Sequence, residues 1–139
     1  NRYMPLDKDE EMSLLATTGR GFYVLGLLDG GSEPTTHAMQ DIALVKDQLD
    51  KWGRSFVFLF QNEEHKNNFE KKNFQGLPSN LTFGIEDGKM LKEIVANMRL
   101  QNNNLPIFIV ANTQNEIVFI SQGYTIGLGE QLMKVINEL

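Results

Sequence analysis

Apolar residues change period along the chain. GFYVLGLL (residues 21–28) and SFVFLF (55–60) are nearly unbroken apolar runs, the pattern of strands buried on both faces of a parallel sheet. Between them Met39, Ile42, Val45, Leu49 and Trp52 recur at helical spacing and stop at Gly53, which predicts one amphipathic helix starting at Thr35. NEEHKNNFEKKNF (62–74) has only Phe69 and Phe74 as apolar anchors and predicts a solvated helix ending near Gly76. In NLTFGIE (80–86), Leu81, Phe83 and Ile85 alternate with polar or small residues, so a strand exposed on one face is expected. DGKMLKEIVANMRL (87–100) places Leu91, Ile94, Val95 and Met98 on one helical face, and QNNN (101–104) is a loop. LPIFIVANTQNEIVFIS (105–121) reads as two strands around a polar turn at 112–115, and the closing helix presents Leu128, Leu132, Val135 or Ile136, and Leu139.

The first twenty residues are polar and irregular, with Pro5, an acidic cluster from Asp7 to Glu11 and a short apolar patch at Leu14-Leu15. They predict a linker or tail over 1–12 and a single domain over 13–139 that opens with a strand or turn. The resulting order is strand, helix, strand, helix, strand, helix, hairpin, helix. Such alternation predicts an α/β fold of three layers, a mixed central sheet with helices on both sides.

Composition narrows the function. With 139 residues, 41% hydrophobic and 22% charged, the chain suits one globular domain. No apolar run approaches the roughly 20 residues of a spanning helix. The net charge is −5, and Lys and Arg form no stripe, which disfavours nucleic acid and anionic membrane as partners. Cysteine is absent, so disulfides, thiolate metal sites and thiol redox chemistry are excluded. The only histidines, His37 and His65, stand among scattered carboxylates without a metal-ligand spacing, so no metal is expected. The chain starts at Asn1 with no charged and apolar leader pattern, and is expected to be a piece of something longer.

LLDGGSEPTTHAMQDI (27–42) runs from an apolar strand through a Gly-Gly turn into an amphipathic helix. LPIFIVANTQNEIVFISQGYTIGLGEQL (105–132) runs from a proline-opened strand through a hairpin into the last helix. In this order the segments resemble the thioredoxin-like thiol-disulfide reductases of the bacterial periplasm, whose helix opens with Cys-Pro-Pro-Cys. On that resemblance Ser32 stands at the first cysteine, Glu33 and Pro34 at the prolines and Thr35 at the second cysteine. The strand and helix between residues 80 and 100 look like the insertion that separates those reductases from plain thioredoxin. The buried acid that thioredoxin keeps six residues before its first cysteine is Gly26 here. More loosely, the chain resembles the thioredoxin-like module at the C-terminus of larger secreted, transglutaminase-like proteins of Gram-negative gut bacteria.

The resemblance spans residues 13–139 and implies a thioredoxin-like α/β/α sandwich with a C-terminal hairpin and helix. It implies a proline, Pro106, that is cis and faces the former active site, and a peptide-docking groove among Gly31, Thr36, Leu105, Pro106, Gly123 and Tyr124. It also implies a periplasmic, cell-envelope or secreted location. No cofactor is implied.

The chemistry left at the degenerate site is limited. A helix N-terminus carries about half a positive charge and stabilises a thiolate. A serine hydroxyl ionises too far above neutral pH to gain similarly, so Ser32 as a nucleophile would need an adjacent base such as His37. Capping accounts for all three choices at the helix start: Ser32 as N-cap, Glu33 in the first turn, and Pro34 where no N–H is needed. The turn Asp29-Gly30-Gly31 lacks a phosphate-loop pattern. The expected function is therefore a redox-inactive, non-catalytic binding or structural accessory module of a larger exported bacterial protein. The alternatives are an enzyme using Ser32, glutathione-transferase-like or hydrolytic, and a ligand-free spacer.

Overall fold

A computed structural model describes residues 2–6, 11–114 and 116–139 of the chain. Strand β1 (Arg2–Pro5), β2 (Met12–Ser13) and helix α1 (Leu14–Thr18) precede β3 (Phe22–Leu28), α2 (Glu33–Leu44) and α3 (Lys46–Trp52). Then follow β4 (Phe56–Phe60), α4 (Glu63–Lys72), β5 (Leu81–Ile85) and α5 (Lys89–Asn97). The chain closes with β6 (Ile107–Asn112), β7 (Ile117–Gln122) and α6 (Leu128–Asn137). One mixed sheet has the order β2-β1-β5-β4-β3-β6-β7. Strands β3, β4 and β5 are parallel, and β1, β6 and β7 join antiparallel to their neighbours.

Alternation along the central strands sorts the apolar side chains to two faces. Val24 and Leu28 of β3 join Phe56, Phe58, Phe60, Phe108 and Val110 under Met39, Ile42, Leu49, Phe69, Leu128 and Leu132. Tyr23, Leu25 and Leu27 join Val57, Leu59, Ile107 and Ile109 on the other face, under Leu14, Met90 and Leu91. Helices α2, α3, α4 and α6 thus cover one face, and α1 and α5 the other, giving the three expected layers. Burying each of these large side chains contributes about 1.5–3 kcal/mol. Gly26 sits between two of them, since an added Cβ would meet the Phe58 ring at 2.8 Å and the Phe108 ring at 3.0 Å. The space beside position 26 is therefore filled by aromatic rings.

Several local expectations change. Where a linker is predicted over 1–12, Arg2–Pro5 is a strand, with Met4 opposite Ile85 and Pro5 opposite Gly84; Asn1 and residues 7–10 lie outside the described residues. The strand or turn predicted at the domain start is the short β2 at Met12–Ser13, but Leu14–Thr18 after it is helical, with Thr18 Oγ1 donating to the Leu14 carbonyl. The single helix predicted from Thr35 begins at Glu33 and breaks at Val45, whose φ of −116° and ψ of 21° interrupt the ladder. Both pieces bury the same stripe, which is why the apolar period runs through the break unchanged. The hairpin turn falls after Asn112 as expected, with Asn115 outside the described residues. Leu139, expected on the last helix face, lies beyond α6 and is 49% exposed.

Candidate functional site

Strand β3 ends at Leu28, and the chain turns through Asp29, Gly30 and Gly31 into α2. Asp29 Oδ1 organises this turn, accepting from the Gly31 and Ser32 amides at 3.4 Å each and from Thr35 Oγ1 at 2.6 Å. Burial alone would raise the Asp29 pKa. The hydrogen bonds from Thr35, Ser32 and the Gly31 and Ser32 backbone outweigh it and hold the carboxyl below its usual value. Gly30 packs against α4, where a side chain would meet Asn68 Cβ at 2.7 Å. Gly31 has a φ of 113°, a backbone state that L residues avoid.

The former thiol positions serve the helix start. Ser32 is the N-cap, its Oγ accepting from the Thr35 amide at 3.4 Å. Glu33 and Pro34 occupy the first turn, Thr35 is fully buried, and Thr36 Oγ1 donates to the Gly31 carbonyl at 3.3 Å. The Ser32 hydroxyl thus satisfies one of the donors that a helix N-terminus leaves open, and Thr36 ties the first turn back to Gly31.

The remaining groove residues come from the hairpin. Leu27 lies opposite Ile107, so the Leu105–Pro106 peptide, which is cis, lies beside the end of β3. The Pro106 carbonyl accepts the Gly123 amide at 2.8 Å, tying the end of β7 to the start of β6. Tyr124 then stacks on His37 of α2, with ring centroids 4.4 Å apart and an interplanar angle of 23°. Its hydroxyl lies 3.5 Å from His37 Nδ1. The structure therefore joins the Gly123-Tyr124 segment to the first turns of α2.

Ser32 and His37 are not joined by a hydrogen bond among the described residues. His37 turns instead to Tyr124 and Asp41, its Nε2 3.5 Å from Asp41 Oδ2. The contact is not a hydrogen bond, and the buried Nε2 has no hydrogen-bond partner among the described residues. Asp41 Oδ2 is engaged elsewhere, by the Leu128 amide at 3.1 Å.

Sequence reasoning named Tyr124, which is 58% exposed, but missed Ile126, 77% exposed two residues on, together with the α4 contacts and the role of Asp29. His65, Asn68, Lys71 and Lys72 of α4 line an open depression of about 490 Å³ with Asp29, Gly30, Gly31 and Ser32. The clamping role of Asp29 could have been read from Asp-Gly-Gly-Ser, an Asx-turn signature. The α4 contacts had no local signal. Among the described residues no cluster of three His, Asp or Glu side chains could hold a metal, and no helix is long and apolar enough to cross a membrane.

No protein-family model matches the chain, and no curated protein matches it in sequence. Solved structures do match in shape. The exposed lipoprotein thioredoxin of Streptococcus pneumoniae aligns over 100% of this chain and 98% of its own, with a TM-score of 0.65 and 12% identity. A DsbF homologue from Corynebacterium diphtheriae aligns over 100% of this chain and 83% of its own, with a TM-score of 0.68 and 18% identity. A thioredoxin-like protein from Bacteroides caccae aligns over 96% of this chain but 47% of its own, with a TM-score of 0.61 and 16% identity. The chain has the thioredoxin-like α/β fold and neither of the thiols of its redox site.

Proposed function

We propose that this chain is a redox-inactive thioredoxin-like module that docks an extended polypeptide segment, from a partner or from a neighbouring domain. The docking surface runs over Gly31 and Thr36 at the α2 start, the half-buried Leu105, and the Gly123-Tyr124 segment, with Pro106 itself buried. The observation that carries this reading is the exposure of Tyr124, stacked on His37 of α2, and of Ile126 two residues on, close to a helix start that Ser32 caps. Large exposed apolar side chains grouped beside a polar cleft mark interaction sites. Residues 2–6 and 11–20 do not line the depressions that Gly31 and Thr36 share with α4.

The site has no group whose ionisation a helix dipole could promote near neutral pH. A binding or accessory role in a larger exported bacterial protein fits better than catalysis at Ser32. Support for export comes from the pneumococcal neighbour, described as an exposed lipoprotein. Support for a longer host comes from the Bacteroides caccae neighbour, in which this fold occupies 47% of the chain. A transglutaminase-like host rests on the sequence resemblance alone.

The test is selection from a random-sequence peptide library on the immobilised chain, followed by mapping of amide shifts. Enriched peptides are expected to shift residues 31–36, 105–106 and 123–126, and to bind at least tenfold more weakly to Tyr124→Ala/Ile126→Ser. Absence of enrichment, or shifts confined to another face, overturns the reading.

A further inference from the structure

On the sheet face opposite the α2 site, a cavity of about 140 Å³ opens between β3, β6 and α5. Leu14, Leu25, Met90, Ile94, Met98 and Ile109 supply most of its apolar lining. Ala111 is the small residue in that wall, lying directly across from Tyr23 in the β3–β6 register.

Tyr23 supplies the polar exception. It lines the cavity, is 7% exposed, and its hydroxyl has no hydrogen-bond partner among the described residues. The hydroxyl oxygen is not itself sealed in the core, since among the described residues the buried side-chain polar atom without a partner is His37 Nε2, so a guest in the cavity can reach it in place of solvent. Burial also pushes the Tyr23 phenol up from its usual pKa, which keeps it protonated and able to donate. Asn112 also lines the cavity, but its carboxamide is committed to Glu116 and to the Gln114 and Glu116 amides. Glu93 and Asn97, both exposed, stand at the opening, where the carboxylate disfavours an anionic guest.

We propose that this cavity binds a small neutral apolar molecule, about the size of one aromatic ring, through a single carbonyl oxygen that accepts the Tyr23 hydroxyl. An apolar cavity of roughly 150 Å³ accommodates a benzene ring. One convergent donor in an otherwise apolar wall is the usual composition of a small-molecule pocket. The site is independent of polypeptide docking, because Tyr23 faces the core beneath α5 and the docking surface lies at the start of α2.

The experiment compares acetophenone with ethylbenzene, which has the same shape and no acceptor, by chemical-shift titration of the whole chain. Acetophenone is expected to saturate with shifts at Ile94, Met98 and Ala111, and to bind about two- to tenfold more tightly than ethylbenzene, the fold-change of one neutral hydrogen bond. Tyr23→Phe should erase the difference while keeping ethylbenzene binding, and Ala111→Val should weaken both by filling space. Absence of saturable acetophenone binding, equal affinity for the two compounds, or an unchanged preference in Tyr23→Phe overturns the proposal. If Tyr23→Phe does not fold, the two-compound comparison on the unaltered chain decides. Shifts at residues 31–36 or 123–126 would instead report the docking surface.

Discussion

Asp41, in the third turn of α2, accepts the Leu128 amide proton at 3.1 Å and so caps α6, a helix 87 residues away in sequence. The α6 N-cap itself is Gly127, which has no side chain to do this. Gly129 lets the two helices approach, because a methyl there would overlap the Asp41 carbonyl oxygen. Asp41 therefore fixes the start of α6, and its carboxyl lies 3.5 Å from the His37 ring on which Tyr124 stacks.

Asp41→Ala should lower stability by about 1 kcal/mol, the usual loss for an N-cap acceptor, read as a reduced urea midpoint. Asp41→Asn keeps an oxygen acceptor and should retain most of the stability. Chemical shifts of Tyr124 and Ile126 should move in the alanine variant. Unchanged shifts would mean that the His37 stack holds the segment without help from Asp41.

Gly26→Asp should be far more damaging than a surface change. The new side chain would enter the space of Phe58 and Phe108 and bury a carboxylate without a partner. Overpacking and an unpaired charge together should cost at least about 3 kcal/mol. Near-normal thermal unfolding of this variant would show that the rings can give way.

Thr35→Val preserves shape and removes the 2.6 Å hydrogen bond to Asp29. A hydrogen bond to a charged acceptor is worth about 1.5–3 kcal/mol when shielded, and the partial exposure of this turn reduces the expected loss to about 1 kcal/mol. The Asp29 pKa should rise toward its ordinary value in this variant, which a carboxyl-carbon titration would read directly.

Acid should weaken the fold in a defined window. The Asp50 carboxyl is lowered from 3.8 to about 2, chiefly by the hydrogen bond from Lys46 and the Ser79 amide. Because the folded pKa lies below the unfolded one, this stabilisation is complete above pH 3.8 and fades as pH falls toward about 2. Asp29, also lowered, contributes with the same sign. Urea midpoints measured across this range should fall less steeply in Asp50→Asn than in the unaltered chain. Parallel curves would assign the acid sensitivity to other groups.

The alternation of strands and helices was legible because each central strand is apolar on both faces and each helix buries one stripe. The break at Val45 was not, since Met39, Ile42 and Leu49 keep their period across it. At the site, Ser32, Glu33 and Pro34 carry local capping chemistry that spacing reveals. The stack of Tyr124 on His37 and the cap from Asp41 to Leu128 each join residues 87 apart. They depend on how α2 and α6 cross, which no local pattern encodes. The lone hydroxyl of Tyr23 was hidden likewise, because in sequence it is one more residue of an apolar strand.

Strand β1 has a practical corollary. Through the pairs Met4–Ile85 and Pro5–Gly84 it covers the backbone edge of β5, and the Tyr3 ring lies against Gly84. A version of the domain cut at residue 13, where the amino-acid pattern alone would place its start, would leave that edge bare beside a hole the size of a phenol. Unpaired edges recruit other strands, so the shortened protein should self-associate, and Arg2–Pro5 is better regarded as a seal than as a tether.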